Sequence, residues 1–468
     1  MAVAVTGVSV SDRSSIHSSP DVESNKSAVT SRKSADSQLF LGPSVYRYLF
    51  SVVFLVNLAL FIYLVTCHRS LVRFVDAAAA NFLACGLARQ PLVVNGCFQI
   101  LCSIPRSLPL RVRHAAANIY HYGGVHSGCG ITALLWYIGV VALLTRQYMT
   151  VPASTAPATT STVALVIAYL ILILIVAIVA VAYPTFRVRH HDAFESTHRY
   201  FSWLVVALFL TLLIVFAHSP SSLSPAGPGS FLLQLPAFWC VLAAAVAIIH
   251  PWTRLRRLDV EPEYLSSHAV RLHLKGATRF GKTISLAAHP LQDWHSFATF
   301  PDEHRTDETD RQTGCSVLVS RAGDWTAACI QQPPTVLWTR GLMTYGFTRA
   351  MRLFRRVVVV ATGSGIGPCL AFLEDKQCPA LRLIWQARAP QRTYGARVME
   401  LVHRLDPTPV VIDTDKSGRA DLRPWIEAEY GAFQAEAVCV ISNRSFTHTL
   451  VAELKARGVR AFGPLFDS

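Results

Sequence analysis

The sequence predicts an α-helical membrane bundle of about six spans, followed by a small antiparallel β-barrel and an α/β parallel-sheet nucleotide-binding domain. Three observations lead there. Apolar and aromatic residues make up 52% of the 468 and charged ones 15%, with a mean hydropathy of +0.36, whereas a soluble chain carries about a quarter charged residues. The apolar residues gather into runs of membrane length before residue 250 and into short strand-like runs after it. Finally, an apolar stretch, Val357 to Val360, runs into glycines at 363, 365 and 367, the order of a strand, a tight turn and a helix.

The formal charge of +14 would raise nucleic acid as a partner, but the Lys and Arg residues are dispersed, and many flank apolar runs where the positive-inside bias supplies them. A nucleic-acid partner is therefore not expected. Eleven cysteines without a CxxC spacing indicate neither a disulfide framework nor a zinc site.

Residues 1–44 are Ser-rich and polar, lack the apolar core of a signal peptide, and read as a disordered cytosolic tail. The transmembrane domain is expected over 45–250. Five runs approach or reach the ~20 residues that cross a hydrocarbon core: Leu49 to Thr66, Gly130 to Leu144, Thr162 to Tyr183, Phe201 to Ala217 and Phe231 to Ile249. A weaker stretch, Phe74 to Ile104, is interrupted by Arg89 and Pro91 and reads as one broken span. Arginines at 106, 111 and 113, at 187, 189 and 199, and at 254, 256 and 257 would share one face, which puts both termini of a multi-pass protein in the cytosol.

From about residue 251 charges return. Short apolar stretches at Ala269 to Leu274, Ser316 to Val319 and Thr335 to Thr339, separated by turns, suggest a barrel over 251–350. Over 351–468, strand-like runs at Arg356 to Ala361, Leu381 to Gln386, Pro409 to Asp413 and Ala437 to Ser442 alternate with helical ones, which predicts a parallel sheet. The glycine turn after the first run suits a phosphate approaching the backbone at a helix N-terminus. A tight turn without ligand is the plainer reading of that segment taken alone.

Four further segments stand in a definite order: Asp293-Trp-His-Ser-Phe-Ala-Thr299, Ala322-Gly-Asp-Trp-Thr326, Gly341-Leu-Met-Thr-Tyr-Gly346 and Ser417-Gly-Arg-Ala-Asp-Leu422. Together they resemble the ferredoxin-reductase-like dehydrogenase domain of membrane ferric reductases and NADPH oxidases. With the spans ahead of it, the chain from 45 to 468 resembles the fungal TmpA-like membrane flavoproteins. The resemblance implies FAD and NADPH or NADH as cofactors. It would set His295, Phe297 and Thr299 against the flavin, and Thr326 and Gly346 near its phosphates. Gly363, Gly365, Gly367 and Pro368 would cradle the nicotinamide pyrophosphate, with Arg388 and Arg419 facing a 2′-phosphate. Two departures stand out. Ser296 and Ala298 replace a Pro and a Thr of the flavin phrase, and Ile441-Ser442-Asn443 occupies the place of a Cys-Gly-Pro turn, with Cys439 earlier in the strand.

Histidines near the spans offer one redox reading. His121 or His126 could face His198 across a single b-type haem on the cytosolic side; interfacial histidines beside Asp192 and Glu195 are the alternative. His198 and His218 are 20 positions apart, about 30 Å along a helix, so they cannot serve closely stacked haems. The expected function is a membrane-bound flavin-dependent oxidoreductase passing electrons from NAD(P)H through FAD to a small-molecule electron acceptor, of lipophilic character, at the bilayer. The rival is a non-catalytic membrane scaffold or signalling protein that keeps the reductase shape.

Overall fold

The computed structural model describes residues 44–150, 162–218, 228–276, 278–302, 314–373 and 378–464. The tail expected over 1–44 lies outside these residues except for Ser44.

The helical part comprises α1 (Val45–Cys67), α2 (Leu71–Leu87), α3 (Pro91–Leu101), α4 (Leu110–Ala117), a 3-10 turn (Asn118–Tyr122), α5 (Gly123–Thr150), α6 (Thr162–Val181), α7 (Pro184–Arg189), α8 (His191–Ala217), α9 (Pro228–Gln234) and α10 (Pro236–Ile249). Among the described residues five helical stretches are long and apolar enough to cross a membrane; α2 and α3 would make a sixth span, bent by 68°. The bend falls at residues 88–90, as the sequence suggests, because Pro91 has no N–H for a continuing helix and disfavours helical geometry in the residue before it.

The inside of the bundle is built on close approach and polar pairing. Gly124 and Gly128 of α5 face α1: a Cβ on Gly124 would press into the Tyr46 carbonyl oxygen, and one on Gly128 would lie 3.0 Å from Val53 Cβ. Asn57 of α1 accepts hydrogen bonds from Trp136 Nε1 (2.8 Å) and Asn81 Nδ2 (2.9 Å), while the Thr132 hydroxyl donates to Asn81 Oδ1 (2.8 Å). Small residues let the helices approach closely, and the hydrogen bonds satisfy polar groups between them. Asp76, an acidic residue inside α2, accepts a hydrogen bond from the Ala237 N–H (2.9 Å) and so caps the start of α10. Outward faces are apolar; Leu55, Val56 and Leu60 of α1 are exposed.

The barrel follows. Strands β1 (Arg256–Ser266), β2 (Ala269–Leu274), β3 (Lys282–Ala287), β4 (His295–Asp302), β5 (Gly314–Ser320) and β6 (Val336–Thr339) pair in the order β4-β5-β2-β1-β6-β3, and β3 pairs back to β4 to close the ring; β7 (Thr344–Tyr345) adds to β3. Period-two alternation fills the interior: Cys315, Val317 and Val319 of β5 point inward with Ile284 and Leu286 of β3, while Leu318 points out toward the next domain. Helix α11 (Asp324–Gln331) lies between β5 and β6.

The last part is a five-stranded parallel sheet in the order β10-β9-β8-β11-β12, from β8 (Arg356–Thr362), β9 (Ala380–Ala387), β10 (Val410–Asp413), β11 (Ala437–Ile441) and β12 (Ala461–Phe462). Helices α12 (Ile366–Leu370), α13 (Pro390–Leu405), α14 (Thr414–Ser417), α15 (Arg423–Ala432) and α16 (Arg444–Ala456) connect the strands. Strand order reverses between β8 and β11, and ligands of such sheets bind at the carboxyl ends of the strands at that point. An antiparallel barrel followed by this sheet fits a ferredoxin-reductase-like module.

Helices and module are docked through named contacts. Arg113 of α4 grips the Glu436 carboxylate with two hydrogen bonds (2.7 and 3.0 Å) and donates to the Leu353 carbonyl (3.0 Å). Asn95 of α3 bonds the β7 backbone on both sides, to Met343 O (3.0 Å) and from Tyr345 N (2.9 Å). The Arg340 guanidinium lies between the rings of Trp252 (4.7 Å) and Trp294 (4.4 Å). Arg106 donates to Arg352 O and Arg199 to Gln292 O, so these two arginines also contact the module.

Candidate functional site

The site begins at the end of β8. Thr362 leads into Gly363, whose φ of +52° is the left-handed geometry that glycine adopts without cost, and its carbonyl accepts a hydrogen bond from Trp385 Nε1 (2.9 Å). Gly363 lines a 660 Å³ cavity between barrel and sheet, together with His268, Arg321, Arg388, Arg392 and Asp415. A Cβ at Gly363 would meet only the Tyr394 hydroxyl, 3.8 Å away.

The other two glycines of the turn do different work from that expected. A Cβ on Gly365 would run into the Ile441 carbonyl at the end of β11, and one on Gly367 would lie 3.2 Å from Leu318 Cβ on the barrel. Gly365 therefore allows β8 and β11 to converge, and Gly367 allows α12 to settle on β5; neither Cβ position faces the cavity. Pro368 sits inside α12, where the first turn leaves its missing N–H without consequence.

Of the two arginines assigned to a 2′-phosphate, Arg388 lines the cavity and Arg419 is exposed on the loop after α14, outside the cavity lining. Arg392, four residues on and inside α13, also lines the cavity. Asp415 accepts from both, Arg388 Nε at 2.8 Å and Arg392 Nη2 at 2.9 Å, and these guanidinium hydrogen bonds hold its carboxyl below the usual range. With Arg321 the lining has three guanidinium groups against one carboxylate, an excess that suits a phosphate-bearing ligand. Arg388 precedes α13 and the left-handed Ala389 separates it from the helix that carries Arg392, so no helical spacing pairs the two and only the fold shows the second arginine.

Beyond Arg321 stands an aromatic wall. The His295 ring lies 4.5 Å from Trp325 and the Phe297 ring 5.7 Å from it, at interplanar angles of 32° and 30°. His295 Nε2 is buried without a hydrogen-bond partner. Burial lowers the imidazole pKa below its ordinary value, against the pull of Glu195, Asp293 and Asp192, so the ring is neutral at pH 7. Thr299, expected beside it, is fully buried instead: it pairs with Val317 on the inward face and its hydroxyl bonds Lys282 O (3.0 Å) and Thr278. Thr326 is also committed locally, accepting from Ala322 N (2.8 Å) and Gly323 N (2.9 Å) at the start of α11. Gly346 follows β7 and donates to Gly281 O (2.8 Å), next to Tyr345, whose ring carries Lys282 Nζ at 3.7 Å and the Arg349 guanidinium at 4.6 Å.

At the β11 end, Ser442 contacts the Thr362 hydroxyl and Asn443 caps α16 through Phe446 N (3.0 Å). Cys439 is buried in mid-strand, where desolvation raises its thiol pKa, and does not reach the cleft.

In the helices, His126 and His198 come together with ring centroids 6.1 Å apart, and His126 Nδ1 bonds Cys85 O (2.9 Å). His121 is apart, stacked on Tyr120 at 4.5 Å, so it is not the partner of His198. Two imidazoles are all that points to haem among the described residues, and interhelical packing accounts for them equally; no group of three or more metal-binding side chains occurs among those residues.

The family described as Adenylate-forming reductase 03009, C-terminal domain, matches residues 347–468. Adenylate-forming reductases 03009 and 06235 of Coprinopsis cinerea are 40% and 39% identical to this chain over 431 and 432 residues, in each case 91% of this chain and 40% of the relative. The chain thus spans 40% of the length of either relative. Two solved structures, an NADH-dependent reduced ferredoxin-NADP oxidoreductase and the ferredoxin reductase of carbazole 1,9a-dioxygenase, overlap 45% and 44% of this chain and 75% and 69% of their own, at 13% identity and TM-scores of 0.33 and 0.34.

Proposed function

We propose that the chain is a membrane-embedded flavin-dependent reductase, akin to the TmpA-like flavoproteins, in which NAD(P)H occupies the arginine-lined cleft and FAD lies against His295, Phe297 and Trp325. Two features support this reading: a glycine turn with three arginines at the carboxyl end of the parallel sheet, and an aromatic wall on the barrel holding an imidazole nitrogen without a partner. The relatives are named reductases, and reduction is the part of that name which the chemistry of the cleft supports. Their full activity, borne on more than twice the length, is not carried over.

The residues fit their tasks. Gly363 leaves backbone open to a pyrophosphate, and Arg388 and Arg392, preorganised by Asp415, can exchange part of that pairing for a phosphate. The neutral His295 can hydrogen-bond a flavin ring edge while Trp325 and Phe297 stack on aromatic surface. FAD, when bound, supplies the chemistry of accepting a hydride from nicotinamide and releasing electrons singly or in pairs. The five or six membrane-length helices, with Arg106 and Arg199 against the module, support a multi-pass protein with both termini cytosolic and a small lipophilic acceptor reached from the cytosolic interface. No electron step is routed through haem. A non-catalytic scaffold is the second reading, favoured by Ser442 and Asn443, whose side chains at the β11 end are both bonded within the protein.

The test is flavin content. His295→Leu in the full-length chain should lower bound FAD affinity by about tenfold, the loss of one buried hydrogen bond, with membrane insertion unchanged. Equal flavin per protein in variant and wild type would remove His295 from the site.

A further inference from the structure

A second cavity, of 510 Å³, lies on the opposite side of the module, between α4 with its following 3-10 turn and the α16–β12 edge of the sheet. Arg111, His114, Asn118, Lys455 and Arg460 line it, and no carboxylate does. The neighbouring Glu436 is already engaged by Arg113 and by the Arg355 N–H (2.6 Å). Among the described residues no carboxylate pairs with the side chains of Arg111, Lys455 or Arg460. Three cations held together without a counter-charge repel one another, and an anion between them relieves that repulsion.

The surroundings indicate which anion. Leu108, Leu110 and Val112 alternate with Arg111 and Arg113 and are exposed, at 37%, 36% and 47%. The segment leads directly into α5, a helix of membrane length. A basic cavity whose Arg111 is flanked in sequence by exposed apolar side chains, on the segment that leads into a helix of membrane length, suits a phosphate carried on acyl chains.

We propose that this cavity binds a phosphate group, and that its source is the headgroup of an anionic phospholipid in the leaflet facing the module. The lipid source rests on the membrane reading above; the phosphate chemistry does not.

The experiment uses the purified full-length chain in detergent, wild type and Arg111→Gln/Lys455→Gln/Arg460→Gln, with two probes. Native mass spectrometry compares retention of phosphatidic acid with phosphatidylcholine, and thermal melting follows added inorganic pyrophosphate. The wild type should retain phosphatidic acid about tenfold or more over phosphatidylcholine, and the variant should show no preference. A melting shift with pyrophosphate, lost in the variant, without any lipid preference would keep the phosphate site and overturn the lipid source. Identical behaviour of wild type and variant toward both probes would overturn the site. Arg460→Gln alone, at an exposed position, repeats the comparison should the triple variant fail to fold.

Discussion

Gly365→Ala is expected to dismantle the carboxyl edge of the parallel sheet between β8 and β11, a larger effect than loss of a ligand contact alone. The added Cβ would meet the Ile441 carbonyl oxygen inside van der Waals distance and lie 3.0 Å from its carbon. Both groups are backbone, so no side-chain rotation relieves the clash; either the turn or the end of β11 must move. The β8–β11 pairs from Val357↔Ala437 to Ala361↔Ile441 and the Thr362–Ser442 contact would move with it. Overpacking costs about 1–3 kcal/mol where side chains can adjust, and a backbone clash at a sheet centre should reach about 3 kcal/mol or more. Gly363→Ala is the control. Its φ of +52° makes it strained by about 1 kcal/mol, but its Cβ would make only an ordinary contact with the Tyr394 hydroxyl. Thermal melting should show the Gly365 variant losing the module transition while the Gly363 variant keeps it. Equal melting of Gly365→Ala and wild type would show that β8 and β11 do not converge as described.

The second large effect is expected at Glu436. Arg113 is only 6% exposed in its side chain and has this carboxylate as its charged partner, so Glu436→Gln leaves a guanidinium buried without counter-charge. Breaking a buried pair on one side costs about 3–5 kcal/mol. The loss should appear as earlier melting and as protease access between the helices and the sheet. Burial alone would raise the Glu436 pKa; the hydrogen bonds from Arg113 and the Arg355 N–H outweigh it and hold the group below its ordinary 4.5. A carboxyl depressed on folding gives stability that is present above 4.5 and is lost as pH falls through the lower folded value. The gap between wild type and variant should therefore be constant from neutral pH down to about that point and close below it. A gap that persists undiminished in acid would remove the ion pair as its cause.

How far the sequence anticipates this molecule depends on how local each signal is. In the parallel sheet β8 is a continuous apolar run buried on both faces, and the limits of β8 and β9 are visible within a residue or two, as in Arg356–Thr362 and Ala380–Ala387; β10 is only half-buried and the two-residue β12, Ala461–Phe462, gives no such signal. The bend at residues 88–90 is equally legible, since Arg89 and Pro91 mark it. Barrel strand β1 gives no such signal: Arg256–Ser266 has one face in water and carries Pro262, so charges mask its alternation. The roles of Gly365 and Gly367 depend on Ile441 and Leu318, distant in sequence, and only the assembled fold separates them from Gly363. The same holds for Arg113 and Glu436, 323 positions apart. The pairing of His126 rather than His121 with His198 lies between these cases, since helical spacing narrows the choice and packing makes it, whereas Arg392 joins Arg388 only in the assembled fold.

Anaerobic mixing of NADPH or NADH with the purified full-length chain tests the account most directly. The flavin band at about 450 nm, a general property of the cofactor, should be present and should bleach, and Arg388→Ala/Arg392→Ala should slow bleaching by NADPH more than by NADH if those guanidinium groups meet the phosphate that distinguishes the two nucleotides. A chain that carries flavin yet is bleached by neither nucleotide, or that binds no flavin, would contradict the assignment of this cleft to hydride transfer.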